Sequence, residues 1–126
     1  MSDKKHHAEE AAIRKLDAEW SKAAQDKNLD RVITFYATDG SVVWPGDPAA
    51  KGHAAIRSYF EPLFAQASDV QWEHTSEFIH GERAVTEWHR TATLKSGEKQ
   101  SWLGCDLYTF RNGLIVMKDT YIKVVG

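Results

Sequence analysis

From Val70 onward the chain alternates. Val70, Trp72, His74, Ser76 and Phe78 stand at even positions, with Gln71, Glu73, Thr75 and Glu77 between them. A period of two marks a strand with one buried face, so the even set is read as inward. Gly81 turns the chain, and Arg83 to Leu94 forms the next strand, with Trp88 and Arg90 in the same register. Ser96-Gly97 turns it again. The last third, from Gln100 to Val125, is rich in β-branched and aromatic residues and reads as two long strands. Arg111-Asn112-Gly113 joins them as a three-residue loop, with Gly113 able to adopt the left-handed conformation that closes it. Pairing Phe110 with Leu114 puts Asp106 directly opposite Lys118, a carboxylate beside an ammonium.

The first half has the longer period. Ile13, Leu16, Trp20 and Ala23/Ala24 recur at helical spacing between Ala8 and Gln25. Asn28 is the expected N-cap of a second helix with Leu29, Val32, Ile33 and Tyr36 inward, stopped by Thr38-Asp39-Gly40. Ser41 to Trp44 reads as a short strand, ended by Pro45-Gly46-Asp47-Pro48. A third helix runs from His53 to Tyr59 or beyond and buries Ile56 and Phe60. Pro62 is expected to end or kink it. Helices segregated ahead of strands predict an α+β domain, a curved antiparallel sheet wrapped over helices. A single domain is expected over residues 1–126, with residues 1–7 disordered.

Composition narrows the class. The 126 residues suffice for one core. Sixteen basic and 18 acidic side chains give a formal charge of −2, and no Lys/Arg-rich run suggests a nucleic-acid partner. No window approaches the ~20 apolar residues of a membrane span. The one cysteine, Cys105, is compatible with a reducing compartment, and a cytoplasmic location is expected. Its alternation with Asp106 points it away from the inner face.

With even positions inward throughout, the concave face carries Trp72, Trp88 and Trp102 interleaved with His74, Arg90, Asp106 and Lys118. An apolar wall with a few convergent polar groups is the composition of a small-molecule pocket. Asp106 has three readings: a protonated hydrogen-bond donor to a developing oxyanion, a general base, or half of a structural ion pair with Lys118 or Arg90. His74 is a candidate proton shuttle, against a plain hydrogen-bonded inner histidine. Arg90 offers a planar fork for an anionic group, or neutralises Asp106. Trp20, Tyr36, Trp44 and Phe60 are core aromatics or line the same cavity. His6, His7, His53, His80 and His89 show no metal-ligand spacing, so neither a metal nor a cofactor is assigned.

Several stretches carry a resemblance. Ala12-Ile-Arg-Lys-Leu…Trp20, Leu29-Asp-Arg-Val-Ile-Thr-Phe-Tyr-Ala-Thr-Asp-Gly-Ser-Val42, Lys51-Gly-His-Ala-Ala-Ile-Arg-Ser-Tyr-Phe60 and Phe110-Arg-Asn-Gly-Leu-Ile115 resemble the nuclear transport factor 2-like superfamily. The nearest branches are SnoaL-like proteins and ketosteroid isomerases. The resemblance implies a cone-shaped α+β barrel with three helices against a curved, mostly antiparallel sheet (cystatin-like), a deep pocket and a homodimer. It puts Trp44 where ketosteroid isomerases have their base, Trp20 where they have a phenol, and Asp106 on their protonated aspartate. It also matches Asp106 to the late aspartate of SnoaL-like cyclases, and Arg90 with Asp106 to part of an epoxide-hydrolase set. The function expected is cofactor-free acid–base catalysis (isomerisation, cyclisation or hydration) on an apolar or aromatic small molecule. Asp106 and His74 would act on it, and Arg90 or Lys118 would anchor it. The alternative is a non-catalytic ligand-binding or homo-oligomerisation module. Either way the resemblance implies a homodimer, through the outer sheet face that bears Leu103, Cys105 and Leu107.

Overall fold

The computed structural model describes residues 2–125, with side-chain positions for residues 8–123. The expected disorder of residues 1–7 concerns side chains outside that set. The order is α1 (Ser2–Gln25), α2 (Leu29–Thr34), β1 (Tyr36–Val43), β2 (Ala50–Lys51), α3 (His53–Ala65), β3 (Ala67–His80), β4 (Arg83–Leu94), β5 (Lys99–Arg111) and β6 (Leu114–Val125). The strands form one curved sheet in the order β2-β1-β6-β5-β4-β3, antiparallel except for the parallel pair of β1 and β6. The three helices pack on it, as the α+β reading expects.

The apolar stripe of α1 does what its spacing predicts: Ile13, Trp20, Ala23 and Ala24 are buried against the sheet. Asn28 caps α2, its side chain accepting a hydrogen bond from the Arg31 amide at 3.2 Å. Ile56, Phe60 and Phe64 bring the inner face of α3 onto the same core. Burial of each such side chain stabilises the fold by roughly 1.5–3 kcal/mol.

Four local expectations are corrected. The second helix ends at Thr34, and Tyr36 opens β1. Thr38-Asp39-Gly40 is therefore not a helix stop; it is an irregularity inside β1, where pairing with β6 shifts between Tyr36 and Ser41. A Cβ on Gly40 would stand 2.8 Å from the Ile115 carbonyl oxygen, so the glycine serves close strand approach. The third helix continues three residues past Pro62, so the proline does not end it. Pro62 and Ser58 are exposed, so the Ser58 carbonyl, which loses its N–H partner to the proline, faces water.

The other two corrections concern bulges. In β3, His74 pairs with Trp88 and Ser76 with Glu87, which leaves Thr75 as an extra residue. The alternation flips there: Phe78 points out, 71% exposed, while Glu77 and Ile79 turn inward. Between β5 and β6 the loop is the two residues Asn112 (φ 53°) and Gly113 (φ 79°), flanked by the pair Arg111 and Leu114. Val116 is then an extra residue, so Phe110 pairs with Ile115, Tyr108 with Lys118, and Asp106 with Thr120. Asp106 is diagonal to Lys118, not opposite it.

Candidate active site

The inner face keeps its predicted residents. The turn after β4 holds the register, Arg90 facing Trp102 and Trp88 facing Gly104 across the pair of strands. Trp20, Tyr36, Phe60, Trp72, Trp88, Arg90, Asp106 and Lys118 are all buried; His74, Trp44 and Trp102 are half-buried. Trp72 packs edge-on to Trp20 at 5.3 Å and lies 5.2 Å from Trp88.

Asp106 and Lys118 are each 1% exposed. Lys118 Nζ donates to Asp106 Oδ1 and to Thr120 Oγ1, both at 3.1 Å, and Thr120 Oγ1 donates to the same Oδ1 at 2.6 Å. The ammonium also lies 5.1 Å from the Trp20 ring centre and 6.0 Å from that of Trp72. Two phenols border this pair. Tyr36 accepts a hydrogen bond from Trp20 Nε1 at 3.2 Å. Burial pushes the hydroxyls of Tyr36 and Tyr108 well above their usual range, and the Asp106 charge adds to it. Of the ion-pair partners left open for Asp106, Lys118 is the one that holds it.

Arg90 stands apart. It is 1% exposed, its Nη1 donates to Gln100 Oε1 at 3.1 Å, and its buried Nε has no hydrogen-bond partner among the described residues. The guanidinium lies 4.3 Å from the Trp102 ring centre and 5.6 Å from that of Trp72. Burial lowers its pKa to about 10. Trp102 in turn packs obliquely against Trp44 at 5.5 Å, and Trp44 against Tyr59 at 6.3 Å.

A third group spans α1 and β3. His74 Nδ1 lies 3.0 Å from Asp17 Oδ2, an ion-pair distance off the line of a hydrogen bond, with Ser21 Oγ 3.4 Å from the ring nitrogens. Burial pushes the His74 pKa down, but its contact with Asp17 and that carboxylate's charge more than offset this, so the net shift is upward. The bulge at Thr75 turns Glu77 into the same group, where burial and then Asp17 raise its pKa to about 7, while Arg14 holds it at 2.8 Å. Asp17, His74 and Glu77 each bring one donor atom within 4.8 Å of the others. Sequence reasoning missed Asp17 and Glu77. Asp17 falls on the apolar stripe of α1, one turn before Trp20, and a carboxylate at a core position was the signal available.

Among the described residues, aromatic side chains pack against one another across the interior. Concavities of about 280, 310 and 320 Å³ lie elsewhere: between α1 and the Asn112-Gly113 turn, on the outer sheet face around Leu103 and Tyr121, and beside Thr91 and Ser101. None is lined by Asp106 or Arg90.

Three helices on a curved six-stranded sheet, with polar groups gathered on its inner face, define the nuclear transport factor 2-like fold, and solved structures agree. A protein of unknown function with that fold from Burkholderia pseudomallei K96243 superposes with a TM-score of 0.80 at 17% identity, covering 89% of this chain and 91% of its own. The epoxide hydrolase/cyclase-like enzyme SalBIII, of pyran ring formation in the polyether salinomycin, gives 0.82 at 16%, covering 93% and 96%. An LEH-like epoxide hydrolase from M. tuberculosis gives 0.76 at 15%, covering 89% and 82%. At these identities the likeness shows the fold. The sequence matches the model of the SnoaL-like domain over residues 18–117, and the chain belongs to that family. No curated protein matches it.

Proposed function

We propose that the tryptophan-walled interior around Asp106 binds an apolar or aromatic small molecule and performs acid–base chemistry on it with side chains alone. The carrying observation is the fully buried Asp106–Lys118 pair. Taking two charges out of water costs several kcal/mol per ion, and well-packed apolar residues of similar volume are often as stable or more so. Stability is thus a weak reason for the pair, and a ligand that uses it is the better one. Asp106, positioned by Lys118 and Thr120, would exchange a proton with the substrate. His74, biased toward its protonated form by Asp17, would relay it. Isomerisation, cyclisation and hydration are the reactions this set can serve, and relatives of the fold include an epoxide hydrolase/cyclase-like enzyme and an epoxide hydrolase. A cytoplasmic setting suits the free thiol of Cys105.

The test is tryptophan fluorescence of the purified protein against neutral and charged apolar, aromatic and terpenoid compounds, beside Asp106→Asn. Saturable quenching at micromolar concentration, altered in the variant, is expected. Turnover of a found substrate that Asp106→Asn leaves unchanged would sink the mechanism.

A second reading rests on the outer sheet face. Phe78, Val85, Leu103 and Tyr121 are exposed there, with Cys105 and Leu107 half-buried between them. Such a patch suits a homodimer. A monomer by light scattering at micromolar concentration would remove it.

A further inference from the structure

Among the described residues, the inner face of β3 and β4 carries three buried N–H donors without an acceptor, Trp72 Nε1, Trp88 Nε1 and Arg90 Nε, beside the unpaired hydroxyl of Thr86. Buried polar groups are normally paired, and an orphan group is costly. The three are of one kind, donors, and one of them belongs to a cation. The ion pairing is uneven as well. Lys118 has Asp106, and His74 has Asp17, but among the described residues no carboxylate lies within ion-pair distance of Arg90. The two indole faces on either side of the guanidinium favour a cation, yet they offer no acceptor to its N–H groups.

From this buried cation without a carboxylate partner and its unmatched neighbouring donors, we propose that Arg90 is the recognition site for the carboxylate of an apolar, aromatic monoanion. The inference rests on the small-molecule reading above and narrows its substrate class. A carboxylate is planar and matches the guanidinium fork, which a neutral carbonyl does not. A phosphate dianion would bring a second negative charge with no cation left to meet it, and a buried unpaired charge is strongly disfavoured. The rest of the ligand is apolar because the roof beside Arg90 is aromatic: Trp102 packs on the guanidinium, Trp44 on Trp102 and Tyr59 on Trp44. These three are only half-buried, and Trp44 sits beyond the end of β1 in the segment with Pro45, Gly46 and Pro48. Entry is through this roof, by parting of Trp44 from Trp102.

Isothermal titration calorimetry of the wild-type protein at neutral pH decides it, with 1-naphthoate, the neutral isostere 1-naphthamide and 1-naphthyl phosphate. Naphthoate is expected to bind at least about tenfold more tightly than either of the others. Arg90→Gln should reduce naphthoate to the affinity of the amide. Arg90→Lys, which keeps the charge and loses the fork, should fall between. Far-UV circular dichroism checks that both variants are folded, and the wild-type comparison stands even where a variant is not. Equal affinity for naphthoate and naphthamide overturns the anion site and leaves the small-molecule reading intact. Tighter binding of the phosphate overturns it too, on the charge count. Binding of none of the three overturns it, and failure of the neutral panel as well brings down the broader reading with it.

Discussion

Lys118 Nζ reaches Asp106 Oδ1 at 3.1 Å although the two residues are not cross-strand partners. The extra residue at Val116 sets Lys118 opposite Tyr108, and the long lysine stem bridges the diagonal to the carboxylate. A pair so deep tests whether charge here serves the fold. Lys118→Met leaves the Asp106 carboxylate buried without its cation and should cost about 3–5 kcal/mol. The double variant Lys118→Met/Asp106→Leu should recover most of that loss. Urea unfolding of the two singles and the double measures it, and a double variant as unstable as the Lys118→Met single would show that the pair is structural.

Gly104 faces the Trp88 ring. A Cβ there would stand 2.7 Å from both Trp88 Cζ2 and Cη2 and 2.6 Å from the Tyr121 carbonyl oxygen. Gly104→Ala should therefore overpack the interior and destabilise by about 1–3 kcal/mol, seen as a lower Tm. The paired variant Trp88→Phe/Gly104→Ala should regain part of the loss by shortening the ring that the methyl meets.

Asp17 is what lifts the His74 pKa against its burial. In Asp17→Asn the desolvation penalty stands without that carboxylate's charge, so the imidazole should titrate at lower pH than in the wild type. Proton NMR of the ring hydrogens over the neutral range reads the shift. An unchanged midpoint would mean that Asp17 does not bias His74.

Glu77 makes stability depend on pH in a direction opposite to that of most carboxylates. Its folded pKa of about 7 lies above its unfolded value, so between the two the folded state holds the extra proton. Stability must then fall as pH rises through that window. His74 acts in the same sense, because its pKa is raised as well. Tm is expected to decline from mildly acid to slightly basic pH, and Glu77→Gln should flatten the decline. A profile equally steep in the variant would assign the slope to other groups.

The sequence by itself determined most of the inner surface. Trp72, Trp88, Arg90, Asp106 and Lys118 were legible because alternation along a half-buried strand is a local property, and every one of them is buried on that face. The resemblance, carried by stretches from Ala12 to Ile115, supported the fold, which the SnoaL-like match and the solved structures show. Other features were decided by tertiary structure, each for the same reason. A bulge is one residue of backbone with no side-chain signature, yet Thr75 turns Phe78 out and Glu77 in, and Val116 changes which residue stands opposite Asp106. The parallel pairing of β1 with β6 drew Thr38-Asp39-Gly40 into a strand, against a local pattern that reads as a helix stop. Asp17 and His74 lie 57 residues apart and meet only because α1 packs on β3. Period and composition tell which residues go inside, whereas the partner each one finds there depends on register and on packing between elements distant in the chain.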